Sequence, residues 1–385
     1  MSAYWLDESQ VRVADLALMC EQVTQIADYP HASRVERNLV IYDIGSLNLS
    51  DPSETQEVSA EWFTALDSGP GVIAIKGAFA DTSTIDAATT VFESIIDGEK
   101  IDNTTKGDHF GKPGANARIW NAQEKLARAN PDVYAAYYSN RVLALGSLAW
   151  LGPNYQMTSQ VNVVYPGGKP QEPHRDYHLG FMSIEQAQRY PRHIHQSSRY
   201  YTLQGAVAHC DMPVESGPTM LLPHSQKYSH GYLAWQNQGI KDYFSAHMIQ
   251  LPLEKGDVIF FNPALIHGAG ENKSTDIVRM ANLLQVSSAF GRAMETVDRT
   301  DICLRVYATL RNLGNSGNLT PIQIADVIAA TAEGYPFPTN LDSDQPVNGM
   351  VPLSQAELLR QALTQDWPQP QLRSQLLAQN DRRKA

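Results

Sequence analysis

The stretch Glu254-Lys-Gly-Asp-Val-Ile-Phe-Phe-Asn-Pro-Ala-Leu-Ile-His-Gly-Ala-Gly-Glu-Asn-Lys-Ser274 decides the fold of this chain. It contains a short run rich in β-branched and aromatic residues, Asp257 to Asn262, which follows Lys255-Gly256 and precedes a proline. A run of this kind, with glycine before it and proline after it, is typical of a strand. A histidine, His267, comes shortly after the run, and Arg279 lies twelve residues beyond that histidine. The stretch therefore predicts a buried strand that leads to polar, ligand-binding side chains.

Similar short runs surround this stretch and predict a β core. They are Gln160 to Tyr165, Tyr200 to His209, Thr219 to Leu222 and Ile277 to Ser288. Glycine and proline separate them, and several short strands in series indicate an all-β barrel or a double-sheet jelly roll.

Helical patterning flanks the β-rich region on both sides. Before it, helices are predicted at Asp15 to Ile26, Thr82 to Ile96 and Pro131 to Leu151, and a short strand is predicted at Gly71 to Gly77. After about residue 292 come Asp301 to Leu313, Thr320 to Glu333 and Ser354 to Leu363, and then a tail at Asp381 to Ala385 that we expect to fray.

Composition narrows the classes of partner. With 43% hydrophobic and 18% charged residues, the 385-residue chain is expected to fold fully. A net charge of -11 without a basic block argues against nucleic acid as a main partner. No apolar run approaches the roughly 20 residues that span a bilayer. Three widely spaced cysteines and an acidic start without a secretory leader lead us to expect a cytoplasmic protein.

Two histidines and an aspartate form the candidate metal site. In His174-Arg175-Asp176, alternation along a strand would place His174 and Asp176 on one face. With His267 they make the protein part of a 2-His-1-carboxylate facial triad, which binds non-haem Fe(II) with positions left open. Arg279 could bind a carboxylate through two parallel hydrogen bonds, and 2-oxoglutarate carries such a group. The tripeptide alone is a weak signal, so the residues around His267 matter.

Those residues resemble the phytanoyl-CoA dioxygenase (PhyH) family of Fe(II)- and 2-oxoglutarate-dependent oxygenases. The family has a Gly-Asp strand leading to the distal metal histidine, then Gly-x-Gly-x-Asn and the 2-oxoglutarate arginine, as at Gly256 to Arg279. Glu215 to Ser225 resembles the family's stretch from Asn-Gly to Pro-Gly-Ser-His, and Gly71 to Phe79 resembles its opening strand. The resemblance covers roughly residues 60 to 292.

The resemblance implies a fold and three divisions of the chain. The fold is a mainly β core, a double-stranded β-helix of the jelly-roll, cupin-like kind, with N- and C-terminal α-helical additions. Residues 1–60 would form an N-terminal helical extension, 61–292 the oxygenase domain with supporting helices, and 293–385 a C-terminal helical extension.

The resemblance also implies roles for individual residues. His174, Asp176 and His267 would bind Fe(II), and Arg279 would bind the distal carboxylate of 2-oxoglutarate, with O2 as the oxidant. Gln204 falls where family members often contact the co-substrate. Gln160 and Asn162 share a strand face that either lines the same lumen or faces solvent. The chain departs from the family pattern at three positions, with His224 for the usual glycine, Gln226 for the usual histidine and Ala269 for a serine of some members.

Several alternatives stay open at this level. His178 is four residues from His174, too far along an extended strand to share one ion. His209-Cys210-Asp211 lacks the further ligands of a zinc site. An oxygen-independent cupin-like lyase or isomerase could use the same metal ligands, and a silent barrel could serve as a binding module. The expected partner is a small organic molecule, which the sequence does not identify. The sequence does not decide whether the reaction is a hydroxylation, a desaturation or a cyclisation. A homo-oligomeric state is also possible.

Overall fold

A computed structural model describes residues 4–101, 115–347 and 349–384 of the chain. Within these residues, eleven strands form an eight-stranded mixed sheet in the order β1-β2-β3-β9-β6-β11-β5-β4 and a three-stranded sheet in the order β10-β7-β8. The strands are β1 Arg34–Glu36, β2 Leu39–Asp43, β3 Val72–Lys76, β4 Asn116–Ile119, β5 Gln156–Val164, β6 Thr202–Ala208, β7 Met220–Leu221, β8 Ile249–Gln250, β9 Val258–Phe261, β10 His267–Gly268 and β11 Arg279–Ser287.

Fourteen α-helices accompany the sheets in the described part of the chain. They are α1 Val13–Cys20, α2 Pro52–Asp67, α3 Ser83–Ile101, α4 Ala122–Ala129, α5 Pro131–Tyr138, α6 Arg141–Leu151, α7 Ile184–Ala187, α8 Arg192–Ser198, α9 Gly231–Ala234, α10 Gln238–His247, α11 Arg299–Asn315, α12 Pro321–Thr331, α13 Gln355–Thr364 and α14 Gln369–Arg382. None of the helices in these ranges is long and apolar enough to cross a membrane.

Strand alternation gives the large sheet two different faces. In β9, Val258 and Phe260 pack into the core that the helices cover, whereas Ile259 and Phe261 belong to a second core. The second core also contains Leu221 of the small sheet, so it lies between the two sheets. Because successive side chains point to opposite faces, one short strand supports both cores.

The C-terminal helices share the main core. Val306 and Tyr307 of α11 belong to the same buried cluster as Val161 of β5 and Leu143 of α6. Arg299, at the start of α11, donates to the carbonyl oxygens of Met157 and Thr331 at 3.0 and 3.3 Å. The C-terminal region is therefore packed on the β core through apolar contacts and through satisfied backbone acceptors.

The predicted β runs all occur, and three details differ. Pro131 to Leu151 is two helices, because the Asn140 side chain accepts from the amides of Val142 and Leu143 and starts a new helix there. Residues 1–60 also contribute β1 and β2, and β2 pairs in parallel with β3. The region expected to fray is helical through Arg382, the end of α14. The division into 1–60, 61–292 and 293–385 stays a prediction.

Candidate active site

His174 and His267 are brought together by backbone pairing. The amide of His174 donates to the carbonyl of His267 at 2.9 Å, and the amide of His267 donates back at 3.0 Å. This isolated bridge continues the small sheet, in which His267 already faces Leu221. The two imidazole centroids are 4.6 Å apart. Residues far apart in the sequence thus become neighbours because two short extended segments pair.

Both imidazoles are oriented by a backbone carbonyl two residues earlier. His174 Nδ1 lies 2.7 Å from the oxygen of Glu172, and His267 Nδ1 lies 2.9 Å from the oxygen of Leu265. A carbonyl only accepts, so each Nδ1 carries the proton and each Nε2 keeps its lone pair. This arrangement is the usual second contact of a metal-binding histidine.

Asp176 completes the cluster. Its two carboxylate oxygens lie 3.5 Å from His174 Nε2 and 3.4 Å from His267 Nε2, and one ligand atom from each residue lies within 4.8 Å of the others. Gln204 donates its side-chain amide to Asp176. Burial acts to raise the pKa of Asp176, but the two imidazoles and the hydrogen bonds outweigh it and hold the pKa well below its ordinary value. The carboxylate is therefore ionised and able to bind a cation.

Arg175 points away from this cluster, as alternation predicts. Its buried guanidinium donates to the carbonyls of Ser225 and Tyr228 and lies 5.4 Å from the centroid of the Tyr232 ring. Burial lowers the pKa of Arg175 to about 10. Arg175 thus anchors the loop before α9 and does not enter the metal cluster.

A cavity of about 290 Å³ opens beside the cluster, between the two sheets. All seven predicted site residues line it: His174, Asp176, His267, Arg279, Gln204, Gln160 and Asn162. Gln160 and Asn162 are 1% and 7% exposed, so their side chains do not face solvent. Both face inward because they alternate with Val161 and Val163, which pack in the helix-covered core.

Arg279 is a buried cation without an acidic partner in the described part of the chain. Its Nη1 donates to the carbonyls of Ser216 and Gly270 at 3.1 and 3.2 Å, and its side chain lines the cavity. Burial lowers its pKa to about 10, which leaves it charged at neutral pH. A desolvated guanidinium is costly unless an anion pairs with it. An anion in the cavity beside Arg279 would offset this cost.

Strand register arranges the large-sheet residues in rows across the cavity floor. Gln204 of β6 faces Gln285 of β11, and Asn162 of β5 lies between Ala281 of β11 and Arg118 of β4. Gln160 lies opposite Leu283, and its amide approaches the sulfur of Met294 at 3.4 Å.

The sequence reasoning missed other cavity residues. The main ones are Phe181, Gln285 and Met294. Gln285 could have been found, because it has the same parity as Arg279 on a strand and must share its face. The Arg118 guanidinium stacks 5.1 Å from the Trp120 ring centroid. From the sequence, Trp120 and the loop Lys106 to Arg118 either cover the active site or form a surface loop with one anchoring Trp. Arg118 and Trp120 line the cavity, and residues 106–114 lie outside the described residues.

Two of the three departures from the family pattern lie away from the cavity. His224 Nδ1 is 3.0 Å from the oxygen of Gly69, and the Gln226 amide donates to the same oxygen at 2.9 Å. Neither side chain lines the cavity, so they do not reshape its wall, whereas Ala269 does line it.

His178 and His209 do not belong to the metal cluster. Tyr177 and His178 both have positive φ, so this segment is not an extended strand and the distance argument against His178 as a ligand does not apply. His178 nevertheless lies outside the metal cluster. His209 is buried between the hydroxyls of Thr89 and Tyr137 at 2.8 and 3.0 Å. Burial lowers the pKa of His209 to about 3, so it is neutral.

Known proteins resemble part of this chain. The relatives include the peroxisomal phytanoyl-CoA dioxygenases of Bos taurus, 33% identical over 100 residues, and Homo sapiens, 39% identical over 69 residues. The first match covers 21% of this chain and 29% of the bovine protein, and the second covers 15% and 20%. The chain thus matches less than a third of the length of these relatives.

Solved structures with a similar arrangement include two 2-oxoglutarate enzymes. One is the non-heme alpha ketoglutarate dependent carbocyclase SnoK from nogalamycin biosynthesis, with 18% identity, a TM-score of 0.46 and coverage of 69% of this chain and 93% of that chain. The other is HygX from Streptomyces hygroscopicus, solved with nickel and 2-oxoglutarate, with 16% identity, a TM-score of 0.39 and coverage of 60% and 87%. Both TM-scores are below 0.5, and neither adds to the assignment.

The family itself is identified by a match along most of the β core. The sequence model described as phytanoyl-CoA dioxygenase (PhyH) matches residues 55–281, which is more than half of the chain and includes every candidate site residue. The chain belongs to the phytanoyl-CoA dioxygenase (PhyH) family.

Proposed function

We propose that this protein is an Fe(II)- and 2-oxoglutarate-dependent dioxygenase that oxidises a C–H bond of a small organic molecule. The observation that carries the proposal is one cavity whose wall contains a His-Asp-His cluster and a buried arginine. That arginine has no acidic partner among the described residues. The metal cluster alone would suit several enzymes. The arginine favours an oxygenase over an oxygen-independent cupin-like enzyme, which has no general need for a carboxylate site beside its metal.

The donor set fits Fe(II). Two imidazole nitrogens and one carboxylate are the ligands of the facial triad, and their Nδ1 contacts leave both Nε2 atoms free to bind. Bound iron with 2-oxoglutarate and O2 supplies the oxidising chemistry, while the protein positions the reactants. Gln204 steadies the carboxylate of Asp176 from the large sheet.

Arg279 fits the distal carboxylate of 2-oxoglutarate. A guanidinium offers several N–H donors, and only Nη1 has carbonyl partners among the described residues. Asn162 lies across from Ala281, two residues from Arg279, and its Oδ1 is buried without a hydrogen-bond partner among the described residues. We assign Asn162 to the co-substrate side of the cavity as a further hydrogen-bonding group.

Hydroxylation is the outcome we propose. Asp176 occupies the position that related halogenases leave without a carboxylate to make room for chloride, so its presence favours hydroxylation over halogenation. We further propose that the two sheets together form a double-stranded β-helix, because the second core lies between them and residues of both sheets line the cavity that holds the candidate metal ligands.

The direct test combines the purified chain with Fe(II) and 2-oxoglutarate without oxygen and records the visible charge-transfer band of the complex. Succinate is then measured after air is admitted. A band together with succinate formation supports the proposal. Absence of both, in protein with a normal melting transition, rejects it.

A further inference from the structure

Gln285 is a buried amide without a partner in the cavity wall. It is 8% exposed, its Oε1 is buried and unpaired, and its side chain has no hydrogen bond to any described residue. A buried polar group without a partner costs about 1–3 kcal/mol. Its presence in the wall of a cavity therefore points to a ligand that supplies the missing hydrogen bond.

That ligand is different from the one at Arg279. Both residues lie on β11 and on the same face, six residues apart, which is about 20 Å along a strand at about 3.4 Å per residue. A five-carbon dicarboxylate spans roughly the length of two extended residues. A molecule of 2-oxoglutarate held at Arg279 thus leaves the Gln285 end of the floor to another molecule.

Gln285 also lies close to the metal cluster. It is the direct cross-strand neighbour of Gln204, whose amide donates to Asp176. Opposed residues on antiparallel strands have Cα atoms about 4.5–5.5 Å apart. A ligand group bound to Gln285 therefore has its neighbouring atoms beside the metal ligands.

The surfaces around this end of the cavity are apolar. Phe261 is the other cross-strand neighbour of Gln204, Leu283 precedes Gln285 on the same face, and Phe181 and Met294 also line the cavity. Such walls bind a carbon skeleton, and a single polar group among them fixes its orientation.

We propose that Gln285 is a specificity-determining residue that binds a hydroxyl group of the primary substrate, and that the substrate is an alcohol on a mainly apolar skeleton. The inference rests on the proposed function. A hydroxyl suits the site because it donates to the unpaired oxygen and also accepts from the amide nitrogen. The hydroxyl fixes which C–H bond lies beside the metal.

Paired probe compounds test this inference. Each pair is an alcohol and its deoxy analogue on one skeleton: menthol and p-menthane, borneol and bornane, 1-adamantanol and adamantane. Succinate formation above the compound-free level is measured for wild type, Gln285→Leu and Asn162→Leu. We expect wild type to prefer the alcohols about tenfold or more, and Gln285→Leu to lose that preference.

The Asn162→Leu variant separates a binding role from a structural one. Because Asn162 lies toward Arg279, we expect Asn162→Leu to keep the preference for alcohols and to need more 2-oxoglutarate to develop the visible band. We expect Gln285→Leu to need no more 2-oxoglutarate than wild type. Equal responses to alcohols and deoxy analogues in wild type, no response to any alcohol, or an unchanged preference in Gln285→Leu would overturn the inference. Because the band is recorded without any probe, its absence is a failure of the proposed function instead.

Discussion

The backbones of His174 and His267 are paired by two hydrogen bonds of 2.9 and 3.0 Å. Each imidazole is then oriented by its own chain, through the carbonyl two residues before it. The scaffold of the metal cluster is therefore independent of the ligand side chains. Replacing a ligand removes a metal bond while the pairing that positions its neighbour stays.

The first prediction concerns this independence. His174→Ala or Asp176→Ala is expected to abolish both the Fe(II)–2-oxoglutarate band and succinate formation, because two remaining ligands no longer form the triad. The melting temperature should stay within a few degrees of wild type. His178→Asn is the control, since His178 lies outside the cluster and asparagine tolerates its positive φ. A ligand variant with wild-type turnover would show that another group binds the metal.

Arg279 gives the second prediction. Arg279→Ala is expected to raise the 2-oxoglutarate concentration required by roughly ten- to a hundredfold, since a charged hydrogen bond is worth about 1.5–3 kcal/mol. Arg279→Lys should fall between, because an ammonium keeps the charge and loses the two parallel donors. Titration of the visible band with 2-oxoglutarate measures this. An unchanged requirement in Arg279→Ala would mean that a different cation binds the co-substrate.

Much of the β core and the site could be predicted because their signals are local. β9 is a continuous buried apolar run, and the polar residues on the cavity face of nearby strands, such as Gln204 of β6 and Asn162 of β5, belong to the site. Period-two reasoning places a side chain on a face without any knowledge of the partner strand. The same reasoning applied to β11 would have found Gln285.

Features that depend on tertiary pairing could not be predicted in the same way. β1 and β2 are short, and only β2's parallel pairing with β3 makes them part of the sheet. α14 is mostly polar and buries only Leu372, Leu376 and Gln379. Its sequence alone therefore resembles that of a solvent-exposed tail, and its packing depends on neighbouring helices. Arg118 reaches the cavity through the register of β4 with β5, which has no mark in the sequence.

A third prediction concerns the loop that Arg175 anchors. A Cβ at Gly231 would lie 1.7 Å from Arg175 Cζ, and that guanidinium is fixed by two carbonyls and by the Tyr232 ring. Gly231→Ala is therefore expected to destabilise the protein by about 1–3 kcal/mol or more. Urea unfolding measures the change.

Gly98→Ala is the matched control for Gly231→Ala. Gly98 lies in α3, and an added Cβ there meets no atom within 4 Å. Alanine in a helix interior is favoured over glycine, so this change is expected to stabilise by about 0.5–1 kcal/mol. Equal effects of the two substitutions would show that Arg175 moves aside at little cost.

The last prediction is a pH dependence that comes from Glu295. Burial raises the pKa of its carboxyl from 4.5 to about 7; one oxygen accepts from the Asn121 amide at 2.8 Å, and the other is buried without a partner. The Asn121 hydrogen bond, the Gln160 amide and the charges of Arg118 and Lys125 lower the pKa but do not cancel this rise.

Between those two pKa values the folded protein keeps a proton that the unfolded chain has lost, so this group makes the free energy of unfolding fall as pH rises from 4.5 to 7. Glu295→Gln removes the titration and keeps the shape of the side chain. The difference in free energy of unfolding between variant and wild type, from urea curves at steps from pH 5 to pH 8, should therefore shift in favour of the variant as pH rises and level off above 7. Other carboxyl groups contribute to both proteins and cancel in the difference. A difference that stays constant with pH would mean that Glu295 is already ionised in the folded protein at pH 5.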